Sequence, residues 1–151
     1  MSPEQKTLVK ETWQKVVPIA DIAARRFYDR LFETDATTMA LFKATNLAEQ
    51  RRKLIQALTV VVQGIDHLDA LVPTLANLGR RHAQYGVKDS QYDTVGAALL
   101  WTLEQGLGSG WTPEVKTAWS CAYAFVADVM RGTIGESVSA PDHSVRNCEL
   151  T

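Results

Sequence analysis

The sequence has 151 residues, 46% of them hydrophobic and 22% charged, enough for one domain with a substantial core. Sixteen basic residues nearly cancel seventeen acidic ones, leaving a formal net charge of −1. That balance speaks against a broad electrostatic footprint for nucleic acid or an anionic membrane, and no run of about 18 apolar residues offers a membrane span.

Helical periodicity dominates the chain, with no alternating strand and no hairpin signal. Ser2-Pro3-Glu4-Gln5 opens a first helix: Ser2 caps, Pro3 takes the first position and Gln5 completes a capping box. Val9, Trp13 and Val16 share one face, and Pro18 ends or bends the helix. A second helix is expected from about Ile19 to Phe32, with Ala24, Phe27, Tyr28 and Leu31 inward. A short helical turn near Thr37 to Phe42 and a polar loop at Lys43 to Asn46 follow.

The next helix, about Leu47 to Ile65, lines up Gln50, Leu54, Ala57, Leu58 and Val61. A connection at Gly64 to Ala70 leads to a short helix. There Leu71, Leu75, Leu78 and His82, spaced four, three and four apart, form one stripe. Gly86 closes it. A helix from Asp89 to Leu107 buries Tyr92, Val95, Leu99 and Leu103, and Gly106, Gly108 and Gly110 then break the pattern. Thr112 as cap, Pro113 and Glu114 start the last helix, which carries Val115, Trp119, Ala122, Val126 and Val129 to Gly132. Residues 133–151 are polar and aperiodic, so the expectation is a folded domain over 1–132 and a disordered C-terminal tail over 133–151. There are no internal repeats and no heptads. Cys121 lies in an apolar stripe and Cys148 in the polar tail, which argues against a disulfide. Two isolated thiols and a start without an apolar leader give the expectation of a cytoplasmic protein.

Chemistry-bearing residues are few. His67 falls in an expected loop and His143 in the tail, whereas His82 ends an apolar stripe. On spacing alone such a histidine is more often a satisfied core residue than a ligand. Tyr28 and Gln50 interrupt apolar stripes and need hydrogen-bond partners, which backbone or water can supply. Arg51-Arg52-Lys53 and Arg80-Arg81 are short basic runs of the kind that ordinarily solvate a helix face. Phosphate loops, zinc-spaced Cys and His pairs, and a Gly-x-Ser-x-Gly elbow are absent from the sequence.

Several segments in order are recognisable together. They are Glu11-Thr12-Trp13, Phe27-Tyr28-x-x-Leu31-Phe32, Leu41-Phe42 and Gln50-Arg51-Arg52-Lys53-Leu54. Leu78-Gly79-Arg80-Arg81-His82, Tyr85-Gly86-Val87, Tyr92-Asp93-Thr94-Val95-Gly96 and Ala118-Trp119-x-x-x-Tyr123 complete the set. Over about residues 4–131 the chain resembles the globin family, and within it the bacterial single-domain globins, with similarity to neuroglobin as well. The resemblance implies an all-α globin fold of about seven to eight helices around a pocket for haem b. It implies His82 as the iron ligand, Phe42 packed flat on the porphyrin, and Tyr28 and Gln50 as distal polar residues. Leu54, Leu78, Val87, Tyr92, Val95 and Leu99 would line the haem, with Lys53 and Arg81 at its propionates.

Imidazole is a good iron ligand, and a hydroxyl and an amide can donate to a polarised O2 more strongly in a dry pocket than in water. An amide ligates iron poorly, so the sixth position should stay open to O2, NO or CO. In bacterial globins that work with a reductase, a glutamate and a tyrosine contact the proximal histidine. Tyr92 matches the tyrosine, but the glutamate position falls on Ile134, with Glu136 two residues on. The functions implied are reversible oxygen binding for storage or transport, or nitric oxide detoxification as a dioxygenase with a separate reductase. A haem-based gas sensor is a third possibility. No nucleic-acid or membrane partner is expected, and the resemblance does not decide whether the protein is an enzyme.

Overall fold

The structure, a computed structural model, describes residues 1–132; the expectations for the tail, His143, Cys148, Ile134 and Glu136 lie outside the described residues. Six α-helices follow one another: α1 (Pro3–Val16), α2 (Ala20–Thr34), α3 (Leu47–Gln63), α4 (Leu68–Gln84), α5 (Asp89–Leu107) and α6 (Pro113–Arg131). Short 3-10 turns occupy Val17–Ile19, Ala36–Phe42, Ile65–His67 and Gly108–Gly110, and no strand occurs among the described residues. The α-helix count is thus just below the expected seven to eight, because the remaining helical pieces are these tight turns. No single helix among the described residues is long and apolar enough to cross a membrane.

The helix starts follow from local chemistry. Gln5 N–H donates to Ser2 Oγ (3.1 Å) and Ser2 N–H to Gln5 Oε1 (2.9 Å), the reciprocal box expected for α1. Thr112 Oγ1 accepts from Val115 N–H at 3.2 Å ahead of Pro113. Gly132, at φ +86°, ends α6 in the left-handed conformation that glycine adopts without a Cβ penalty. The connection expected at Gly64 to Ala70 is largely helical instead, because α4 already starts at Leu68. It starts without a side-chain cap, so no local signal marks the boundary.

Helix α1 packs on α6, α2 on α5, and these four enclose the main core of Val9, Trp13, Phe27, Leu31, Leu103 and Trp119. Burying Trp119 requires a partner for its indole N–H. Thr12 Oγ1 accepts it at 2.8 Å while donating to the Leu8 carbonyl at 2.6 Å. Helix α3 leans on α2 and α1, whereas α4 docks on α6. Consecutive in the chain, α3 and α4 make only marginal contact with each other.

The docking of α4 divides its apolar stripe. Leu71 and Leu75 are buried in a second cluster with Phe125 and Val129, but Leu78 and His82 stay half-buried. At that level Gly79 meets α6 instead: a Cβ there would lie 2.1 Å from the Met130 carbonyl oxygen. The backbones touch, and the Leu78–His82 edge is turned off the core. Contrary to the sequence expectation, Cys121 is disulfide-bonded.

Candidate functional site

The distal group is built where α2, α3 and the Ala36–Phe42 turn meet. Tyr28 is 5% exposed, with its ring edge-on to Phe27 (centroids 4.9 Å) and Phe42 (5.5 Å). Burial pushes its hydroxyl pKa up from the ordinary 10.0, while a hydrogen bond from Gln50 and the charge of Arg51 pull the other way. The phenol is therefore neutral at physiological pH and can donate. Gln50 is brought to it by the first turn of α3, whose start is set by Asn46 Oδ1 accepting from Glu49 N–H at 3.2 Å.

The Ala36–Phe42 turn joins this group to α5. At its far end Asp35 accepts from Thr37 N–H (3.1 Å) and from Thr94 Oγ1 (3.3 Å). Gln91 Nε2 donates to Thr37 Oγ1 at 3.3 Å. At its near end Phe42 is half-buried against Tyr28 and Phe32.

In α4 His82 Nδ1 lies 2.8 Å from the Leu78 carbonyl oxygen, one turn back. A carbonyl only accepts, so Nδ1 carries a proton, which makes Nε2 the nitrogen with the lone pair in the neutral ring. Val87 N–H bonds the His82 carbonyl at 3.0 Å, a return made possible by Gly86 at φ +93°. Leu54 and Val95 are half-buried beside the core cluster, Leu78 and Val87 are half-buried, and Tyr92 and Leu99 are buried. Lys53 and Arg81 are exposed. The structure thus brings Tyr28, Gln50 and Phe42 together, and His82 with Leu78 and Val87. Among the described residues no hydrogen bond links His82 to the Tyr28–Gln50 pair.

One residue of this region escaped the sequence reading. Arg131 sits with its guanidinium carbon 5.0 Å from the Tyr92 ring centroid and its Nε 3.0 Å from Asp89 Oδ1, and its Nη2 donates to Asp93 Oδ1 at 3.0 Å. Tyr123 donates its hydroxyl to the Tyr92 carbonyl at 2.5 Å. Burial raises the pKa of Tyr92, and Arg131 opposes that shift. A basic residue in the last turn of a helix is readable in sequence, but its partners 38 and 42 residues earlier are not.

The donor set fits haem better than a bare ion. Among the described residues no three His, Cys, Asp or Glu side chains gather to hold a metal. A single imidazole with a free Nε2 suits an iron whose other ligands come from a macrocycle. Half-buried apolar side chains from the Ala36–Phe42 turn, α3, α4 and α5 suit that macrocycle's faces.

These features are those of an all-α domain whose side chains suit a haem group. The globin family profile matches residues 25–130, and the chain belongs to the globin family. It is similar to the flavohemoprotein of Bacillus subtilis (strain 168), with 31% identity over 127 residues, 83% of this chain and 32% of that protein. It is also similar to the flavohemoprotein of Rhodopirellula baltica, 31% identical over 137 residues, 89% of this chain and 34% of the relative. The flavohemoprotein of Halalkalibacterium halodurans is 28% identical over 131 residues, 85% and 32% of the two chains. The chain spans about a third of the length of these curated relatives.

Proposed function

We propose that the chain holds haem b between α3 and α4, with His82 as the protein ligand to iron, and that it binds O2, NO or CO beside Tyr28 and Gln50. The observation that carries this reading is the His82 ring, locked by the Leu78 carbonyl at 2.8 Å so that Nε2 is the free nitrogen. When bound, haem would supply an iron that takes up a diatomic gas. Phe42, Leu54, Leu78, Val87, Val95 and Leu99 would exclude water from the macrocycle, and Lys53 and Arg81 would meet its carboxylates. The neutral Tyr28 hydroxyl donates to a polarised gas ligand while Gln50 supports it, and neither side chain competes for iron. His82→Ala should abolish or greatly weaken haem retention, read as loss of the Soret band. A normal spectrum and unchanged iron coordination in that variant would overturn the assignment. With no Cys-x-x-Cys-His in the sequence, acid–organic extraction should remove the haem.

The relatives' name, flavohemoprotein, favours a second reading, nitric oxide dioxygenation. That reaction converts NO and O2 to nitrate at the cost of one electron per turnover, so it consumes a reductant such as a flavin. NADH-driven NO consumption, measured with and without a flavin reductase, tests it. No consumption in either case leaves gas binding as the function.

A further inference from the structure

We propose that the rim between α3 and α4 is a cationic docking surface for the acidic face of a flavin-bearing electron donor; this rests on the haem reading above. Arg51, Arg52 and Lys53 lie in the first two turns of α3, Arg80 and Arg81 in the last two turns of α4, and Lys88 caps α5. Side-chain and backbone contacts link the segments that carry these cations. Gln50 reaches Tyr28, Tyr28 packs on Phe42, and Thr37 of the same turn accepts from Gln91. Gln91 in turn accepts from Lys88 N–H at 2.8 Å, and Val87 bonds the His82 carbonyl. Arg80 and Arg81 line a shallow depression on the outer side of α4 with Asn77 and Gln84.

Five of these six cations are exposed and Arg51 is half-buried. None of the six forms an ion pair among the described residues. The ion pairs found there join Lys10 to Asp66, Arg30 to Glu33, and Arg131 to Asp89, Asp93 and Asp128. Three carboxylates share the rim segments. Asp35 is held by Thr37 and Thr94 while feeling Lys88, Asp89 is taken by Arg131, and Glu49 stands exposed. In a chain of net charge −1 this concentration makes the rest of the molecule acidic and the rim locally positive. If Lys53 and Arg81 meet the propionates, Arg51 and Arg52 on α3 and Arg80 on the outer side of α4 remain without a carboxylate partner among the described residues. Such a field attracts and orients an anionic partner.

The partner's chemistry follows from the reaction. An oxidised haem must regain an electron to bind O2, and the relatives' name joins a flavin to the haem within a chain three times as long as the matched stretch. In the step proposed, a neutral flavin hydroquinone gives one electron to ferric iron and one proton to solvent. Iron becomes ferrous and the flavin becomes the neutral semiquinone.

The test uses ferric holoprotein in stopped flow with reduced FMN and reduced riboflavin, which share a redox ring and differ by an anionic phosphate. At 0.01 M ionic strength, where screening extends roughly 30 Å, FMN should react about tenfold faster, and the rates should converge near 1 M, where it extends roughly 3 Å. Reduction by an acidic flavodoxin hydroquinone should show the same salt dependence. Arg52→Glu/Arg80→Glu should remove the FMN advantage and slow flavodoxin while leaving the Soret and CO spectra unchanged; Arg52→Lys/Arg80→Lys should preserve both. A normal Soret band with equal, salt-independent rates for the two flavins overturns the docking proposal alone, whereas absence of a Soret band overturns the haem reading with it. Equal flavin rates combined with binding of a 20-mer DNA duplex or phosphatidylserine vesicles at 0.15 M salt would assign the rim to those anions instead, and would also overturn the proposal.

Discussion

Replacing Tyr28 by phenylalanine isolates the distal hydrogen bond, because it removes one oxygen from a ring that Phe27, Phe32 and Phe42 hold in place. Tyr28 is 5% exposed, too buried for bulk water to replace its hydroxyl readily. The loss has two parts. A gas ligand on iron loses a donor, and the Gln50 amide loses its partner within the same group. A hydrogen bond to a polarised acceptor in such surroundings is worth about 1–3 kcal/mol. At tenfold per about 1.4 kcal/mol, O2 should leave ferrous Tyr28→Phe roughly 5- to 150-fold faster than wild type. Bound CO carries far less charge, so its departure should change much less. Stopped-flow dissociation of both gases from wild type, Tyr28→Phe and Gln50→Leu measures this directly. If O2 and CO rates move together, or neither moves, the site selects ligands by shape and the electrostatic argument fails.

Further outcomes follow from the core. Gly79→Ala should cost on the order of 3 kcal/mol, because its Cβ would press on the Met130 backbone, which cannot rotate away. A thermal melt about 10 °C lower is expected, and an unchanged melt would show that α4 can shift freely. Thr12→Val leaves the Trp119 indole N–H buried without its acceptor and should lower stability by about 1–3 kcal/mol, visible as an earlier urea midpoint with an unchanged slope. Tyr28, Tyr92 and Tyr123 all have pKa values raised above 10.0 by burial, so the folded state holds these protons more tightly than the unfolded chain. Their stabilisation is therefore complete below pH 10 and lost as pH climbs above it. Phenolate absorbance of these three should appear together with alkaline unfolding, and ionisation of all three at pH 10 in a still-folded protein would contradict that.

What the sequence made readable was local. The Ser2–Gln5 box, Thr112-Pro113, Gly86 and Gly132 act within a few residues, so the ends of α1, α5 and α6 agree with the expectation. Helical period likewise picked out Tyr28 and Gln50 as polar interruptions, and the structure joins them. The start of α4 was misplaced because no capping side chain marks it. Nor could periodicity foresee that the Leu71–His82 stripe would divide, since the division is made by Gly79 meeting a backbone 51 residues away. The Arg131 group and the Thr37–Gln91 bond share that character, being meetings of distant segments with no local signature.

The contact at Gly79 has a mechanical consequence. Side-chain layers between helices are compressible by rotamer change, but here two main chains bear on each other with nothing between them. Met130 is followed by Arg131, which grips Asp89 and Asp93 of α5. Three residues after Gly79 comes His82. The end of α6 and the imidazole of α4 are therefore coupled through a stiff joint of low compliance. A load on α6 beyond Met130 would reach the histidine as displacement rather than be absorbed along the way.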